Sequence, residues 1–327
     1  MMDKARGNMS LVDLGKLFFA VCVVAIHTNA FHGNKIIHSY IFALAVPFFF
    51  IASGFFLGRK IGMTKDKEEY RECLKGYGRK LLVPYLIWGI WYFFVESAAN
   101  MIVEHMSLTE ALKHQFFSWV IASPGGGFWY IQVILILIVV LMITDKKWFR
   151  LGLLIVSVGL SVIPYLVGKQ EGEIAQLFFD SHTVLWDSLY FLAGIAIGEK
   201  WKKGLPRIGS AALFVFGLSL KIALDVAGVK MFTRIVHMIM AIGLFGLLYS
   251  VKAFYSDEMS IKFRRWSIII YFTHQTLKYA VQMAFKLLHI PESDLIFVIS
   301  IVILFIYAVI IEQFAMDKKV FKVLYSG

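Results

Sequence analysis

The sequence has few charged residues, few prolines and almost no cysteine for its length. Charged residues make up 17% of the 327 positions, against roughly 25% in an average soluble domain. The chain has only 6 prolines and 2 cysteines, while 59% of it is hydrophobic. A soluble core of this size cannot bury so much apolar surface. This composition excludes an ordinary soluble enzyme, a disordered chain and a secreted fold held by disulfides.

Sequence motifs of the common nucleotide, metal and hydrolase sites are also absent. The chain has no phosphate-binding or dinucleotide glycine loop, no His-Glu-x-x-His helix and no Cys-x-x-Cys pair. The Gly-x-Ser-x-Gly elbow of hydrolases is missing as well. Cys22 lies in an apolar run and Cys73 in a segment predicted to be a charged loop, so we expect two unpaired thiols. We expect neither a metal ion nor a tightly bound prosthetic group.

Long, continuous apolar runs are abundant, and they predict membrane helices. A hydrocarbon core of about 30 Å needs on the order of 20 mostly apolar residues per helix. Continuous rather than alternating runs favour helices over a barrel. The sequence therefore predicts an all-α, polytopic membrane helical bundle with about ten transmembrane helices, forming a single domain over residues 1–327. The predicted spans are 10–31, 36–58, 81–100, 128–145, 149–167, 183–198, 208–227, 232–250, 266–285 and 295–316.

Lysine and arginine are concentrated in alternate loops, and this pattern predicts the orientation of the chain. Most of the 33 cations lie at Lys4 and Arg6 and in segments 59–80, 146–150, 200–207, 252–265 and 318–322. Cytosolic loops of membrane proteins are rich in Lys and Arg. Both termini are therefore predicted to be cytosolic, in a multi-pass protein of the plasma membrane. We interpret the net charge of +11 mainly as this orientation signal and expect no nucleic-acid partner.

The first predicted span is the least apolar, and it carries a cation and an imidazole on one face. Lys16 and His27 are about three helical turns, or about 16 Å, apart along the axis, so their side chains point the same way. Asp13 is placed to pair with Lys16. An ionisable residue within a span is costly, which makes a functional role the leading hypothesis. The alternative is a snorkelling lysine and an interfacial histidine.

Several motifs together resemble the acyltransferase family 3 membrane proteins. The first span, VDLGKLFFAVCVVAIHTNAF, resembles the opening signature of that family, with Lys16 where the family carries an arginine. The segments AVPFFFIASGFF, YGRKLLVPYLIW and FWYIQVILIL resemble the next family motifs in order, and YFLAGIAIG and SIIIYFTH resemble later ones. The first two spans are especially similar to the membrane half of vancomycin-resistance serine racemases. The soluble racemase half has no counterpart here, so the resemblance does not imply racemisation.

The resemblance implies acyl transfer, often of acetyl, from a coenzyme A thioester to a hydroxyl of a cell-envelope glycan or similar carbohydrate acceptor. His27 is then the candidate catalytic residue, as general base or as a transient acyl carrier. Lys16, Arg79 and Lys80 are candidates for holding the phosphates of acetyl-CoA or another acyl-CoA, because clustered cations bind phosphates through charge-assisted contacts. Lysine keeps the charge of the family's arginine but lacks its bidentate fork.

Weaker candidates complete the predicted site. Tyr271 and His274 share one face of the ninth span with Ser267, so they are candidates for lining the donor tunnel, as is Ser53. Interhelical hydrogen bonds, and close helix packing at Ser53, are the alternatives. The aromatic pair Trp129 and Tyr130 is a candidate for binding the acceptor substrate at its entrance, with an interfacial aromatic belt as the alternative.

Two other classes of function remain open from the sequence. Intramembrane Asp, Glu, His and Lys also suit a transporter for a small polar solute. Such transporters often contain repeated halves, and we find no matching halves in this chain. A membrane anchor or partner subunit is the third possibility, but it leaves the alignment of Lys16 with His27 unexplained. The sequence identifies neither the acceptor nor the oligomeric state.

Overall fold

The computed structural model describes residues 11–121, 127–162, 184–201, 206–291 and 293–325. It is 82% helical, and the described residues contain no strand. The prediction of an all-α protein is therefore confirmed. The basic residues Lys4 and Arg6, on which part of the orientation depends, lie outside the described residues.

Twelve α-helices account for the described part of the chain. A π-helical turn, Ile37–Ile41, and a 3-10 turn, Phe42–Leu44, lead into the second of them. The helices are α1 Val12–His27, α2 Ala45–Ile61, α3 Lys67–Val103, α4 Leu108–Ile121, α5 Trp129–Leu141, α6 Lys147–Leu160, α7 Val184–Lys200, α8 Arg207–Val226, α9 Thr233–Ser250, α10 Asp257–Leu287, α11 Leu295–Phe314 and α12 Lys319–Leu324.

Each predicted span overlaps one of these helices. Five helical segments in the described residues are long and apolar enough to cross a membrane: 37–61, α3, α8, α9 and α11. These segments identify a membrane protein. The count of ten spans and the cytosolic position of both termini stay predictions.

Some helix boundaries differ from the predicted spans because polar turns continue the helices. α3 begins at Lys67 rather than at the predicted residue 81, and its first turns include a Glu72–Lys75 ion pair of 2.7 Å. The prediction that Cys73 lies in a loop is therefore wrong, although both cysteines are free as expected. α1 ends at His27 because Asn29 and Phe31 have positive φ angles of 55° and 56°, which a right-handed helix excludes.

Contacts between Cα atoms group the described residues into two compact units. The first unit contains residues 11–12, residues 46–79 and the described parts of 132–254. The second unit contains the described parts of 13–45, 80–131 and 255–327. The prediction of a single domain over the whole chain is not tested by this grouping and stays a prediction.

In the first unit, α2 and α7 pack with their backbones in close approach. A Cβ added at Gly54 would collide with the carbonyl oxygen of Phe191, and one at Gly198 would collide with that of Phe55. Small residues spaced by four along both helices allow such contact, as in other membrane helix pairs. Gly54, which follows Ser53, therefore serves close packing of the two helices, the alternative considered for this position from the sequence.

In the second unit, α1 and α10 run side by side in the same direction. The Ser260 hydroxyl donates to Asp13 Oδ2 at 2.8 Å near the start of both helices. Fourteen residues further along each helix, the rings of His27 and His274 lie 5.1 Å apart. Equal spacing at the two contacts means that the helices are parallel and in register. Parallel packing of these two helices agrees with a first and a ninth span that cross in the same direction.

α3 reinforces α10 in the same unit. The Tyr92 hydroxyl donates to the Phe272 carbonyl oxygen at 2.9 Å and accepts from the Thr276 backbone N–H at 3.1 Å. The Tyr279 hydroxyl reaches Glu96 Oε1 at 3.3 Å one turn later. These bonds fix the part of α10 that carries His274, so the position of that imidazole is set by two neighbouring helices.

Candidate active site

The centre of the candidate site is a pair of histidines in the second unit. His27 is the last residue of α1 and is half-buried, whereas His274 is buried within α10. Their ring centroids are 5.1 Å apart and the ring planes are tilted by 41°. The structure thus brings together the predicted catalytic histidine and a residue predicted only to line the donor tunnel.

The hydrogen bonding of His274 fixes which ring nitrogen carries its proton in the neutral form. His274 Nδ1 lies 2.7 Å from the Tyr271 carbonyl oxygen. Because a carbonyl only accepts, Nδ1 is assigned as the protonated nitrogen and Nε2 as the acceptor. Among the described residues, Nε2 is buried without a hydrogen-bond partner. His274 therefore presents a buried acceptor in the neighbourhood of His27.

Tyr271 and Gly127 form the wall beside His274. The Tyr271 hydroxyl donates to the Gly127 carbonyl oxygen at 2.6 Å. A Cβ at position 127 would lie 3.3 Å from His274 Cε1 and 3.5 Å from Nε2, so a larger residue there would press against the imidazole. The Tyr130 ring lies 6.1 Å from the Tyr271 ring, which adds a predicted acceptor residue to the same cluster.

Lys16 lies at the other end of α1 in a separate polar network. Its ammonium is 3.5 Å from Asp13 Oδ1, and its side chain is 20% exposed. The predicted Asp13–Lys16 pair is therefore confirmed. Asp13 also accepts from Ser260 of α10, so the same two helices position the cation at one end and the histidine pair at the other.

The remaining predicted residues have not been brought into this cluster by any described contact. Arg79 and Lys80 are exposed on α3, the first in one unit and the second in the other. Ser53 belongs to the first unit and is hydrogen-bonded with Tyr77. Trp129 is half-buried beside Tyr130 on α5. Donor or acceptor binding by these residues stays a prediction.

Two further cations of the basic segment 59–80, Arg59 and Lys60, contact aromatic side chains of the first unit. Arg59 donates to the Tyr249 hydroxyl at 2.7 Å. The Lys60 ammonium lies 6.0 Å from the centroid of the Tyr77 ring. These contacts support a structural role for both residues and reduce their value as candidates for phosphate binding.

A polar pocket begins at the residue after His27. Its volume is about 550 Å³, and its polar lining is formed by Thr28, Asn29, His32, Asn34, Ser293 and Asp294. Asp294 Oδ1 accepts from the Phe31 backbone N–H at 2.8 Å and so ties the loop after α1 to the start of α11. Amide, hydroxyl, imidazole and carboxylate groups suit a ligand with many hydroxyls.

Gly127 and Asp294 were not predicted as site residues. Gly127 lies in a glycine-rich stretch whose preceding residues, 122–126, are outside the described part of the chain. Asp294 is far from His27 in sequence, and its link to Phe31 depends on the positive φ angles that end α1. The His27–His274 contact depends on which helices are neighbours, and no periodicity within one helix reveals it.

Comparisons with known proteins agree with the motifs. A family model described as an acyltransferase domain matches residues 10–313. The chain is 29% identical over 174 residues to an amino-acid racemase of Enterococcus faecalis, a match that covers 51% of this chain and 23% of that protein. The chain thus spans less than a quarter of the length of that relative. No solved structure matches the chain.

Proposed function

The chain belongs to the acyltransferase domain family, and we propose that it transfers an acyl group, with acetyl as the first candidate, from cytosolic acyl-coenzyme A to a hydroxyl of a cell-envelope glycan or similar acceptor. Family membership and the apolar helices identify a membrane acyltransferase. The donor, the acceptor and the plasma-membrane location belong to the proposal. The observation that carries it is the His27–His274 pair at the end of α1.

In the proposed reaction, His27 is the general base. Its unprotonated nitrogen takes the proton of the acceptor hydroxyl while the hydroxyl oxygen attacks the thioester carbonyl carbon. A C–O bond forms, the C–S bond breaks, and the coenzyme A thiolate takes the proton back from the imidazolium. The C-terminal end of α1 stabilises the positive charge during this step. A positioned base of this kind contributes about 10²–10⁴ in rate.

A two-step variant uses the same residues. The His27 nitrogen attacks the thioester, the C–S bond breaks, and an acyl-imidazole forms before the acceptor hydroxyl displaces it. The coenzyme A thiolate takes the proton of the acyl-imidazolium. The acceptor proton passes to a second base, for which His274 Nε2 is the nearby buried acceptor, and returns from there to the released His27 imidazole. Trapping of labelled acyl groups on His27 distinguishes the two routes.

Donor binding is assigned to the cationic end of α1. Lys16 sits about 16 Å along the axis from His27, a span comparable to an extended pantetheine arm. Its partner Asp13 orients the ammonium and offsets its charge, so exposed Lys80 of the same unit is a further candidate for the nucleotide phosphates, and Arg79 stays a candidate from the sequence alone. His274 and Tyr271 are the candidates for the walls along the arm within this unit.

Acceptor binding is assigned to the polar pocket that follows His27. Its lining offers both donors and acceptors, which a sugar hydroxyl array can satisfy. The pocket begins at Thr28, so an acceptor seated there has hydroxyls close to the end of α1. Tyr130, which contacts Tyr271, and Trp129 are candidates for guiding the acceptor.

The test is acyl transfer by purified protein in liposomes. The protein is incubated with labelled acetyl-CoA and a panel of glycan acceptors, and thioester loss and labelled product are followed. We expect saturable turnover that falls by at least about 100-fold in His27→Ala, with unchanged membrane yield and melting temperature. His114→Ala, which removes an exposed histidine of α4, serves as the control.

Two outcomes contradict the proposal. Wild-type turnover in His27→Ala removes His27 from the chemistry. Solute flux without thioester consumption favours the transporter considered from the sequence. Donor chain length is read from the same assay with longer acyl-CoA thioesters.

A further inference from the structure

An apolar pocket in the second unit has no role in the proposed acyl transfer. Its volume is about 360 Å³, and it lies between α3, α10, α11 and α12. Aromatic side chains dominate its lining: Trp88, Trp91, Tyr307, Phe321 and Tyr325. On α10 its lining residues are Thr273, Thr276 and Leu277; Thr276 lies about 160° around the helix from His274.

The polar groups of the lining are already engaged with the protein. Trp88 Nε1 donates to the Leu324 carbonyl oxygen and Trp91 Nε1 to the Thr276 hydroxyl, each at 3.0 Å. The hydroxyls of Tyr307 and Tyr325 are hydrogen-bonded to each other at 3.0 Å. A polar ligand would have to break these bonds, so the pocket suits a hydrocarbon chain.

The pocket opens beside apolar helix surface. Trp91 is 50% exposed, and Ile306 of α11 is 56% exposed. α3 and α11 are both long and apolar enough to cross a membrane. In the bilayer this opening meets lipid rather than water, because apolar helices present such surfaces to acyl chains. The chains of membrane lipids are therefore the hydrocarbon with direct access.

Two exposed lysines flank the face of α12 that lines the pocket. In α12, Phe321 and Leu324 line it, and helical spacing places Lys318 and Lys322 together along one side of that face. The Lys322 N–H donates to the Lys318 carbonyl oxygen at 3.1 Å, which confirms that they are one turn apart. Both side chains are exposed. Lys319 projects from the opposite side of α12.

From these features we propose that the pocket binds an anionic glycerophospholipid. One acyl chain fills the space between Trp88 and Trp91, and the phosphate is held by Lys318 and Lys322. Flexible lysine side chains reach a headgroup while their stems stay on apolar surface. The charge pattern also predicts that this end of α11 faces the cytosol, where basic segments attract anionic lipids. The site is independent of the proposed acyl transfer.

Tryptophan quenching by lipids with brominated acyl chains tests the proposal directly. The protein is placed in phosphatidylcholine nanodiscs that contain increasing fractions of brominated phosphatidylglycerol or of brominated phosphatidylcholine. The signal of Trp88 and Trp91 is the difference between wild type and a Trp88→Phe/Trp91→Phe variant, because the chain has 8 tryptophans in all. We expect this signal to be quenched at an at least about fivefold lower fraction of phosphatidylglycerol than of phosphatidylcholine.

Charge-matched variants identify the headgroup contact. Lys318→Gln/Lys322→Gln is expected to abolish the preference for phosphatidylglycerol. Lys319→Gln/Lys146→Gln removes the same amount of charge at other positions and is expected to retain the preference. Leu277→Trp fills the pocket from α10 and leaves both lysines in place. We expect this variant to lose the bound lipid, and native mass spectrometry counts the lipids bound per protein. Melting temperatures of all variants verify the fold.

Three results overturn the proposal. Equal quenching by the two lipids means that α12 is simply an interfacial helix. Loss of the preference in Lys319→Gln/Lys146→Gln means that charge acts from a distance. A long-chain acyl-CoA that relieves the quenching of Trp88 and Trp91, without displacing lipid from the rest of the protein, assigns the pocket to the acyl chain of the donor instead.

Discussion

The imidazole rings of His27 and His274 lie 5.1 Å apart, and the two residues are separated by the same 247 positions as Asp13 and Ser260. One helix pair therefore positions both ends of the candidate site. The cation of Lys16 is held at the first contact and the two histidines meet at the second. Single substitutions at each end separate their roles.

Replacement of His274 distinguishes its two nitrogens. Glutamine can place its amide oxygen near the position of Nε2, whereas asparagine reaches only the region of Nδ1. If the buried acceptor Nε2 assists His27, His274→Gln retains most of the turnover and His274→Asn loses about tenfold in kcat. Steady-state kinetics and the pH profile of kcat/KM provide the measurement. Wild-type turnover in both variants shows that Nε2 has no part in the reaction.

Replacement of Gly127 tests how tightly the site is packed. The Cβ of Gly127→Ala would lie 3.3 Å from His274 Cε1, so the imidazole has to shift by a few tenths of an ångström. We expect destabilisation of about 1 kcal/mol and a clear loss of kcat. Gly152→Ala is the matched control, because nothing lies within 4 Å of its new Cβ. Similar melting temperatures and rates in the two variants contradict the described packing.

Lys16 offers a direct test of donor binding. Lys16→Arg keeps the charge and adds a bidentate fork for phosphate, so its KM for acyl-CoA is expected to equal or fall below that of wild type. Lys16→Gln is expected to raise this KM about tenfold with little change in the KM for acceptor. Initial rates at varied acyl-CoA give both values. An unchanged donor KM in Lys16→Gln moves phosphate binding to Arg79 and Lys80.

Asp294 tests the acceptor pocket. Asp294→Ala removes the acceptor for the Phe31 N–H and frees the loop after α1, whereas Asp294→Asn keeps an oxygen in the same place. We expect the alanine variant to raise the KM for acceptor about fivefold through loss of one hydrogen bond, and the asparagine variant to stay near wild type. Asp317→Ala, at an exposed position after α11, is the control. A raised donor KM alone would contradict the assignment.

Hydropathy predicted the existence of the helices well, because a membrane core demands long apolar segments. It placed their ends poorly. The first turns of α3 are polar and are held by ion pairs such as Glu72–Lys75. A hydropathy average along the sequence does not detect such polar helical turns. α1 ends earlier than predicted because two residues after His27 adopt left-handed backbone angles, and neither is glycine.

The candidate site was predictable only along one helix. Helical spacing identified Lys16 and His27 on α1, and the Asp13–Lys16 pair followed from the same periodicity. The meeting of His27 with His274 depends on which helices are neighbours, and no spacing within a helix contains that information. Gly127 was missed because its role is to leave room for the imidazole of His274, a residue distant in sequence.

Because both contacts between α1 and α10 have the same spacing, sliding one helix along the other breaks both contacts together. A displacement of one helix by a single turn, about 5.4 Å, would separate Asp13 from Ser260 and His27 from His274 at the same time. Any motion that admits a donor at one end without disturbing the histidines must therefore rotate or tilt the helices. A disulfide engineered midway between α1 and α10 would leave such tilting possible while forbidding translation.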